Sequence, residues 1–213
     1  MKVSIAIPCY SGSISIELAL SLMGLVPING LELSIIVEQG NSLPMTARNS
    51  IISQFMQMDS DYIFWIDDDV IFTVEDFVKI LDSVVEKKSV AGAYCAKLDE
   101  PTFYIRPIDG KNQTYTEDGF METKGLGMGF SCQAKEILKP LVDSAEIYED
   151  RLGNKVLSIF RTKVEHGQFV GEDYLFFEEL YQLGHITYVD PSIKLKHVGR
   201  KMYSHPLSNT KEK

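Results

Sequence analysis

The chain has 213 residues, a formal net charge of −9, 45% apolar residues and 24% charged residues. This is ordinary globular composition, with length enough for a substantial core in one α/β domain or two intimately packed halves. The acidity argues against general nucleic-acid binding, which wants a basic face, and no stretch reaches the ~18 apolar residues of a membrane span.

Met1-Lys-Val-Ser-Ile reads as the start of a strand rather than a signal peptide. Three cysteines, Cys9, Cys95 and Cys132, are odd in number and sit in apolar contexts. Reduced structural thiols in a soluble, cytoplasmic protein are therefore expected, rather than disulfides or zinc ligands.

In chain order, Lys2 to Pro8 (KVSIAIP) is a β-branched strand, closed by the turn Pro8-Cys-Tyr-Ser-Gly12. A helix is predicted from about Ser13 to Leu25, where Ile14, Ile16, Leu18, Leu20 and Leu22 are too densely apolar for an exposed helix. Leu31 to Glu38 is a second strand, and a helix runs from Pro44, in its first turn, to Met58. Tyr62 to Ile66 is too short for a helix and rich in strand formers, which predicts a buried strand. Val74 to Lys87 is a helix opened by a capping box, Thr73 with Asp76, and Ser89 to Cys95 is the fourth strand. This alternation predicts a parallel, Rossmann-like sheet.

Past Lys97 the pattern changes. Thr102 to Thr123 is polar and turn-rich, predicting short antiparallel strands or loops. Gly125 to Cys132 reads as one strand with glycines at alternate positions. A helix over 134–142, a strand over 156–160, a helix over 173–183 and a closing segment over 186–198 follow. Residues 204–213 read as a flexible tail. The division expected is a first half over 1–98 and a second over 99–203.

The chemistry centres on Asp67-Asp68-Asp69, delivered at the carboxyl end of the aromatic strand, where open α/β sheets bind ligands. Asp67 and Asp69 point to one side of an extended chain, roughly 7 Å apart. Such acids repel unless a cation or hydrogen-bond donors lie among them, and all-oxygen ligands suit Mg²⁺ or Mn²⁺ with a phosphate. The next helix has its own cap, so capping does not require these acids. Gly125, Gly127 and Gly129 strip one face of a strand, allowing close approach of a ligand or of another backbone. Glu172 and Asp173 open a helix after His166 to Gly171, a glycine-punctuated stretch that reads as a mobile substrate loop; they serve the helix dipole or act as a general base. His197 closes the last apolar strand.

Together these residues resemble a GT-A glycosyltransferase of the family-2-like, Asp-x-Asp type, over roughly residues 2–200. The resemblance rests on the first strand with Tyr10, on Arg48-Asn49, and on Phe64-Trp-Ile-Asp67-Asp68-Asp69-Val70. It also rests on Gly127-Met-Gly129-Phe130, on Gly171-Glu172-Asp173, and on Val189-Asp-Pro191 through His197-Val-Gly199. The chain is short for the class and lacks the Gln-x-x-Arg-Trp of processive members; it resembles compact virus-encoded members or a domain of a longer protein.

The resemblance implies a UDP-sugar donor, a glycan or glycoprotein acceptor and a Mn²⁺ or Mg²⁺ cofactor. It assigns nucleotide-sugar binding to the half over 1–98, and acceptor binding with catalysis to the half over 99–203. Pro8, Cys9, Tyr10 and Glu38 would line the base and ribose pocket, and Arg48 would contact phosphate or brace the acids. Asp67 and Asp68 would touch the donor, and Gly127 and Gly129 would lie beneath its sugar. Asp67, Asp69 and His197 would hold the metal. Asp173, or alternatively Glu172, would be the base of an inverting transfer. The competing readings are a retaining transferase, a sugar-1-phosphate nucleotidyltransferase, against which a first loop without Lys or Arg counts, and a non-catalytic nucleotide-sugar or glycan-binding module.

Overall fold

The computed structural model describes residues 1–199 and 202–204. The expected tail over 204–213 therefore lies, beyond Ser204, outside the described residues. The first half runs β1 (Lys2–Cys9), α1 (Ile16–Met23), β2 (Glu32–Gln39), α2 (Pro44–Phe55), β3 (Tyr62–Ile66), the short β4 (Val70–Ile71), α3 (Val74–Lys87) and β5 (Ser89–Ala91). The second begins with β6 (Ile105–Pro107), β7 (Thr114–Tyr115), β8 (Met121–Leu126), β9 (Phe130–Ala134) and α4 (Lys135–Ser144). Two hairpins follow, β10 (Glu146–Glu149) with β11 (Lys155–Ser158) and β12 (Lys163–Glu165) with β13 (Gln168–Val170). The chain continues through α5 (Glu172–Gln182), β14 (Thr187–Val189), β15 (Lys196–Val198) and β16 (Met202–Tyr203).

The central sheet has the order β2-β1-β3-β9-β5-β14-β8-β6, with β7 also on β8. β1, β2 and β3 pair in parallel, as do β5 and β14. Most strands thus share one direction; β9 and β8 run against their neighbours. Both halves contribute to this sheet, so the expected boundary at residue 98 marks a change of pattern and not a gap in the core.

β3 reads as an unbroken apolar run because both faces of the sheet are covered. Phe64 and Ile66 face one cluster with Ile5, Phe77 and Phe130, whereas Ile63 and Trp65 face the other with Ile52, Phe160 and Phe176. Phe64 stacks on Phe77 at 4.4 Å and meets Phe130 edge-on at 4.9 Å, while Trp65 meets Phe160 edge-on at 5.3 Å. The strand that carries the aspartates is therefore clamped from both sides.

Three expectations are corrected. α1 is not buried: Ile16 is 77% and Leu20 61% exposed, and only Leu18 within it is buried. Apolar residues spaced by two fall on opposite faces of a helix, so Ile16 and Leu20 cannot share the inward face of Leu18. The stretch from Gly125 to Cys132 is two strands, β8 and β9, because the first pairs with β14 and the second with β3 and β5. His166 to Gly171 is not an open loop: His166 (φ 50°) and Gly167 (φ 78°) make a two-residue hairpin turn between β12 and β13, the positive-φ pair such tight hairpins require.

Candidate active site

The carboxyl ends of β1 and β3 open on a cavity of about 310 Å³ lined by Pro8, Tyr10, Asp67, Asp68, Asp69 and His197, among others. A second cavity of about 320 Å³ is lined by Lys97, Tyr104, Gly127, Asp173 and Tyr174. The two share Tyr94 and His197 as their partition. Residues more than 100 positions apart in sequence thus face one opening.

His197 reaches Asp69 because β15 pairs with β4 immediately after the aspartates, with His197 opposite Val70 and the Val198 N–H donating to the Asp69 carbonyl at 2.8 Å. The His197 Nδ1 lies 2.9 Å from the Cys95 carbonyl, which can only accept, so Nδ1 carries the proton. In the neutral ring Nε2 then presents a lone pair to Asp69 Oδ1, 3.3 Å away. Two acceptors facing each other call for a cation or a proton between them, and a backbone carbonyl fixing the far nitrogen is how a metal-binding histidine is oriented. Asp69 and His197 therefore fit a divalent cation.

Asp67 does not join them. Its carboxylate turns to Arg48, whose Nη2 lies at 3.1 Å, and among the described residues no group of three or more His, Cys, Asp or Glu is arranged to hold a metal ion. Arg48 is 4% exposed and also meets Glu172 at 2.7 Å and Asp173 at 3.5 Å. Of the two roles expected for Arg48, the structure shows the brace for acids rather than a free phosphate contact. Burial pushes the Asp67 carboxyl up, more than the facing Arg48 draws it down. Burial and the neighbouring Asp173 likewise raise Glu172. Burial also acts upward on Asp69, but His197, when a proton lies between the two, and Lys97 outweigh it and hold that carboxyl below its ordinary range. Asp68, raised chiefly by burial, lines the first cavity.

The glycines serve the acids. A Cβ on Gly129 would sit 2.4 Å from Asp67 Oδ2, and one on Gly127 would sit 2.6 Å from the Tyr94 hydroxyl. The bare face expected to receive a sugar is thus filled by two side chains, though Gly127 still borders the second cavity. Glu172 is consumed by Arg48 and lines neither cavity, whereas Asp173 lines the second and accepts from the Met128 N–H at 3.3 Å.

In the expected base pocket, Pro8 lines the first cavity beside Tyr10, whose ring is 66% exposed and free to stack. Cys9 does not: its side chain is 2% exposed and points into the core, as alternation along β1 demands. Glu38 accepts from the Ser50 hydroxyl at 2.8 Å and lines a neighbouring cavity of about 550 Å³, joined to the first through Asn41 and Ser42.

Tyr94, Lys97 and Tyr174 were missed. Tyr94 accepts from the Gly129 N–H at 3.3 Å and meets His197 edge-on at 4.8 Å. Burial, then Asp67 and Asp173, push its hydroxyl well above the usual range. The Tyr174 hydroxyl is raised to about 12, by burial and then by Asp173. Tyr94 and Lys97 follow the carboxyl end of β5, and the strand-end rule that singled out the aspartates applied there equally.

The sequence matches no protein-family model and no curated protein. Solved structures do resemble it. A197 from STIV superposes with a TM-score of 0.61 at 20% identity, each chain covered in full. GalNAc-T7, crystallised with UDP, GalNAc and Mn²⁺, gives a TM-score of 0.58 at 9% identity over 93% of this chain and 44% of its own. S. aureus TarS 1–349 with UDP-GlcNAc gives 0.53 at 14% identity over 90% of this chain and 56% of its own. The fold is therefore the mixed α/β, GT-A-like arrangement, and this chain spans about half the length of the last two. Among the described residues no helix is long and apolar enough to cross a membrane.

Proposed function

We propose that the protein is a metal-dependent glycosyltransferase that moves a sugar from a nucleoside diphosphate, UDP on the strength of the resemblance, to an acceptor hydroxyl with inversion. The observation that carries this reading is the convergence of Asp69, His197 and Asp173 on two joined cavities at the strand ends. The known complexes of GalNAc-T7 and TarS with UDP or UDP-GlcNAc, on the same fold, support it.

Tyr10 stacks on the base and Pro8 walls it, with Asp68 near the ribose. Asp69 and His197 would hold Mn²⁺ or Mg²⁺, and such an ion would supply positive charge against the departing diphosphate. Arg48 keeps Asp67 and Glu172 in place from behind the site. The acceptor occupies the second cavity, against Tyr104 and Tyr174. Asp173 takes the hydroxyl proton as the acceptor oxygen bonds to the anomeric carbon. The bond from that carbon to the diphosphate oxygen breaks, and its electron pair leaves with the nucleotide.

The test is a panel of nucleotide sugars incubated with the protein, with Mn²⁺ or with EDTA, following release of nucleoside diphosphate. Mn²⁺-dependent release from at least one donor is expected. Failure of every donor, together with no binding of UDP or GDP, would overturn the reading.

A further inference from the structure

Lys97 lies on the connection that leaves β5, where the Ala96 N–H donates to the Thr102 carbonyl at 2.8 Å and the Leu98 N–H to the Ala96 carbonyl at 2.8 Å. These bonds fix the backbone on either side of Lys97, and its flexible stem projects to the cavities. Its ammonium pairs with Asp69 Oδ2. The other oxygen of the same carboxylate, Oδ1, faces His197 Nε2. Lys97 therefore holds one oxygen of Asp69 while the other stays turned to the ring nitrogen with which it would share a cation.

Charge decides what this pair is for. Asp67, Asp68, Asp69 and Asp173 line the two cavities, and among the described residues Arg48 and Lys97 are the only lysine or arginine side chains that do so. Four carboxylates against two basic side chains is a site that repels a diphosphate. Arg48 cannot turn to an anion, because it is buried and shared among three acids. Lys97 can. Its side chain is 38% exposed and Asp69 is 32% exposed, so the pair is within reach of solvent and breaks at small cost. Lysine presents a rotatable point charge on a four-carbon stem, suited to changing partner rather than to fixing one. An ammonium and a divalent ion cannot share Asp69 without repulsion, so a cation held there by Asp69 and His197 requires Lys97 to leave.

We propose that Lys97 is an exchanging cation: it closes on Asp69 while no donor is bound, and passes to the diphosphate when the nucleotide sugar enters, freeing Asp69 for the metal. This rests on the glycosyl-transfer reading and adds to it a donor-binding residue and an order of events. Nucleotide and metal then help each other to bind by a route beyond their direct contact, and linkage makes that help reciprocal. In the donor-free protein Lys97 suppresses metal binding, and with EDTA present it is the main cation that meets UDP.

The test compares the wild type with Lys97→Gln in calorimetric titrations of Mn²⁺ without nucleotide and of UDP with EDTA. Loss of one charge-assisted bond predicts UDP binding about tenfold weaker in the variant. Release of Asp69 predicts Mn²⁺ binding about tenfold tighter, a gain that a damaged fold cannot produce. Lys97→Arg, which keeps the charge, should retain UDP binding in EDTA. Unchanged or weaker Mn²⁺ binding in Lys97→Gln, or unchanged UDP binding, would overturn the exchange. If the wild type binds both ligands in these titrations and the variant matches it, the exchange alone fails. If neither protein binds Mn²⁺ or UDP under any condition, the glycosyl-transfer reading fails with it.

Discussion

Asp69 and Asp173 have separable jobs, and single substitutions should separate them. Asp69→Ala removes one of two cation ligands and should abolish Mn²⁺ binding measured by titration, while the fold, which gains little from an ion pair within reach of solvent, is unchanged. Asp173→Asn keeps the shape of the second cavity but takes no proton. UDP affinity should hold within about twofold, while kcat falls on the order of 10²–10⁴-fold; normal transfer would refute the base assignment. Glu172 answers to pH in the opposite sense from Asp69. Burial and Asp173 raise its carboxyl above the unfolded value, so the stability it contributes is present at low pH and lost as pH rises through the folded value. Glu172→Gln should therefore gain thermal stability relative to wild type as pH is raised from about 4 toward neutrality; a constant difference would contradict that account. At this scale the acids were legible because consecutive carboxylates at a strand end advertise chemistry, whereas His197 became a candidate ligand only through the resemblance. Tyr94 and Lys97 were not, since a tyrosine and a lysine after a strand look like any others until Asp67, Asp69 and His197 are seen around them. Cys9 faces the core, while Pro8 before it on β1 and Tyr10 in the turn after it line the cavity.

The elements act as struts for these side chains. α2 delivers Arg48 to the acids and, one residue on, Asn49 to the other side. The Asn49 amide donates to the Phe160 carbonyl at 3.0 Å and accepts from the Ile159 and Phe160 N–H groups at 3.0 and 2.7 Å. It thereby pins the strand-following segment that packs on Trp65. Asn49→Ala would leave buried backbone groups unpaired and should cost about 3 kcal/mol in chemical denaturation; a loss under about 0.5 kcal/mol would show that other groups satisfy them. Gly129 tests the link between β9 and β3 in the same way. A methyl at that position collides with the Asp67 carboxylate, so Gly129→Ala should displace Asp67 and weaken UDP binding while destabilising the fold by about 1–3 kcal/mol. Strand and helix patterns survived translation into structure wherever local periodicity matched burial, as in α3 with its capping box and in β3. They failed where pairing was non-local: the break between β8 and β9 is set by partners far along the chain, which a single strand-like run does not reveal.

Across the molecule, the sheet gathers β1, β3, β5 and β14 with their carboxyl ends on one side, and β15 returns there to place His197 on Asp69. The fold class was legible from the alternation of strands and helices. The insertion of β9 against the sheet direction was not, because apolar composition is blind to strand direction. The resemblance to the glycosyltransferase family implied that His197 and Asp69 share one site, and the register of β15 on β4 gives the physical reason they meet. The central claim is that these two side chains hold a cation beside a bound nucleotide. A crystal structure with UDP and Mn²⁺, read at the manganese absorption edge, tests it most directly. The account predicts one anomalous peak within coordination distance of an Asp69 carboxylate oxygen and His197 Nε2, with the diphosphate on its open side. UDP bound without that peak, or a peak remote from both residues, would contradict it.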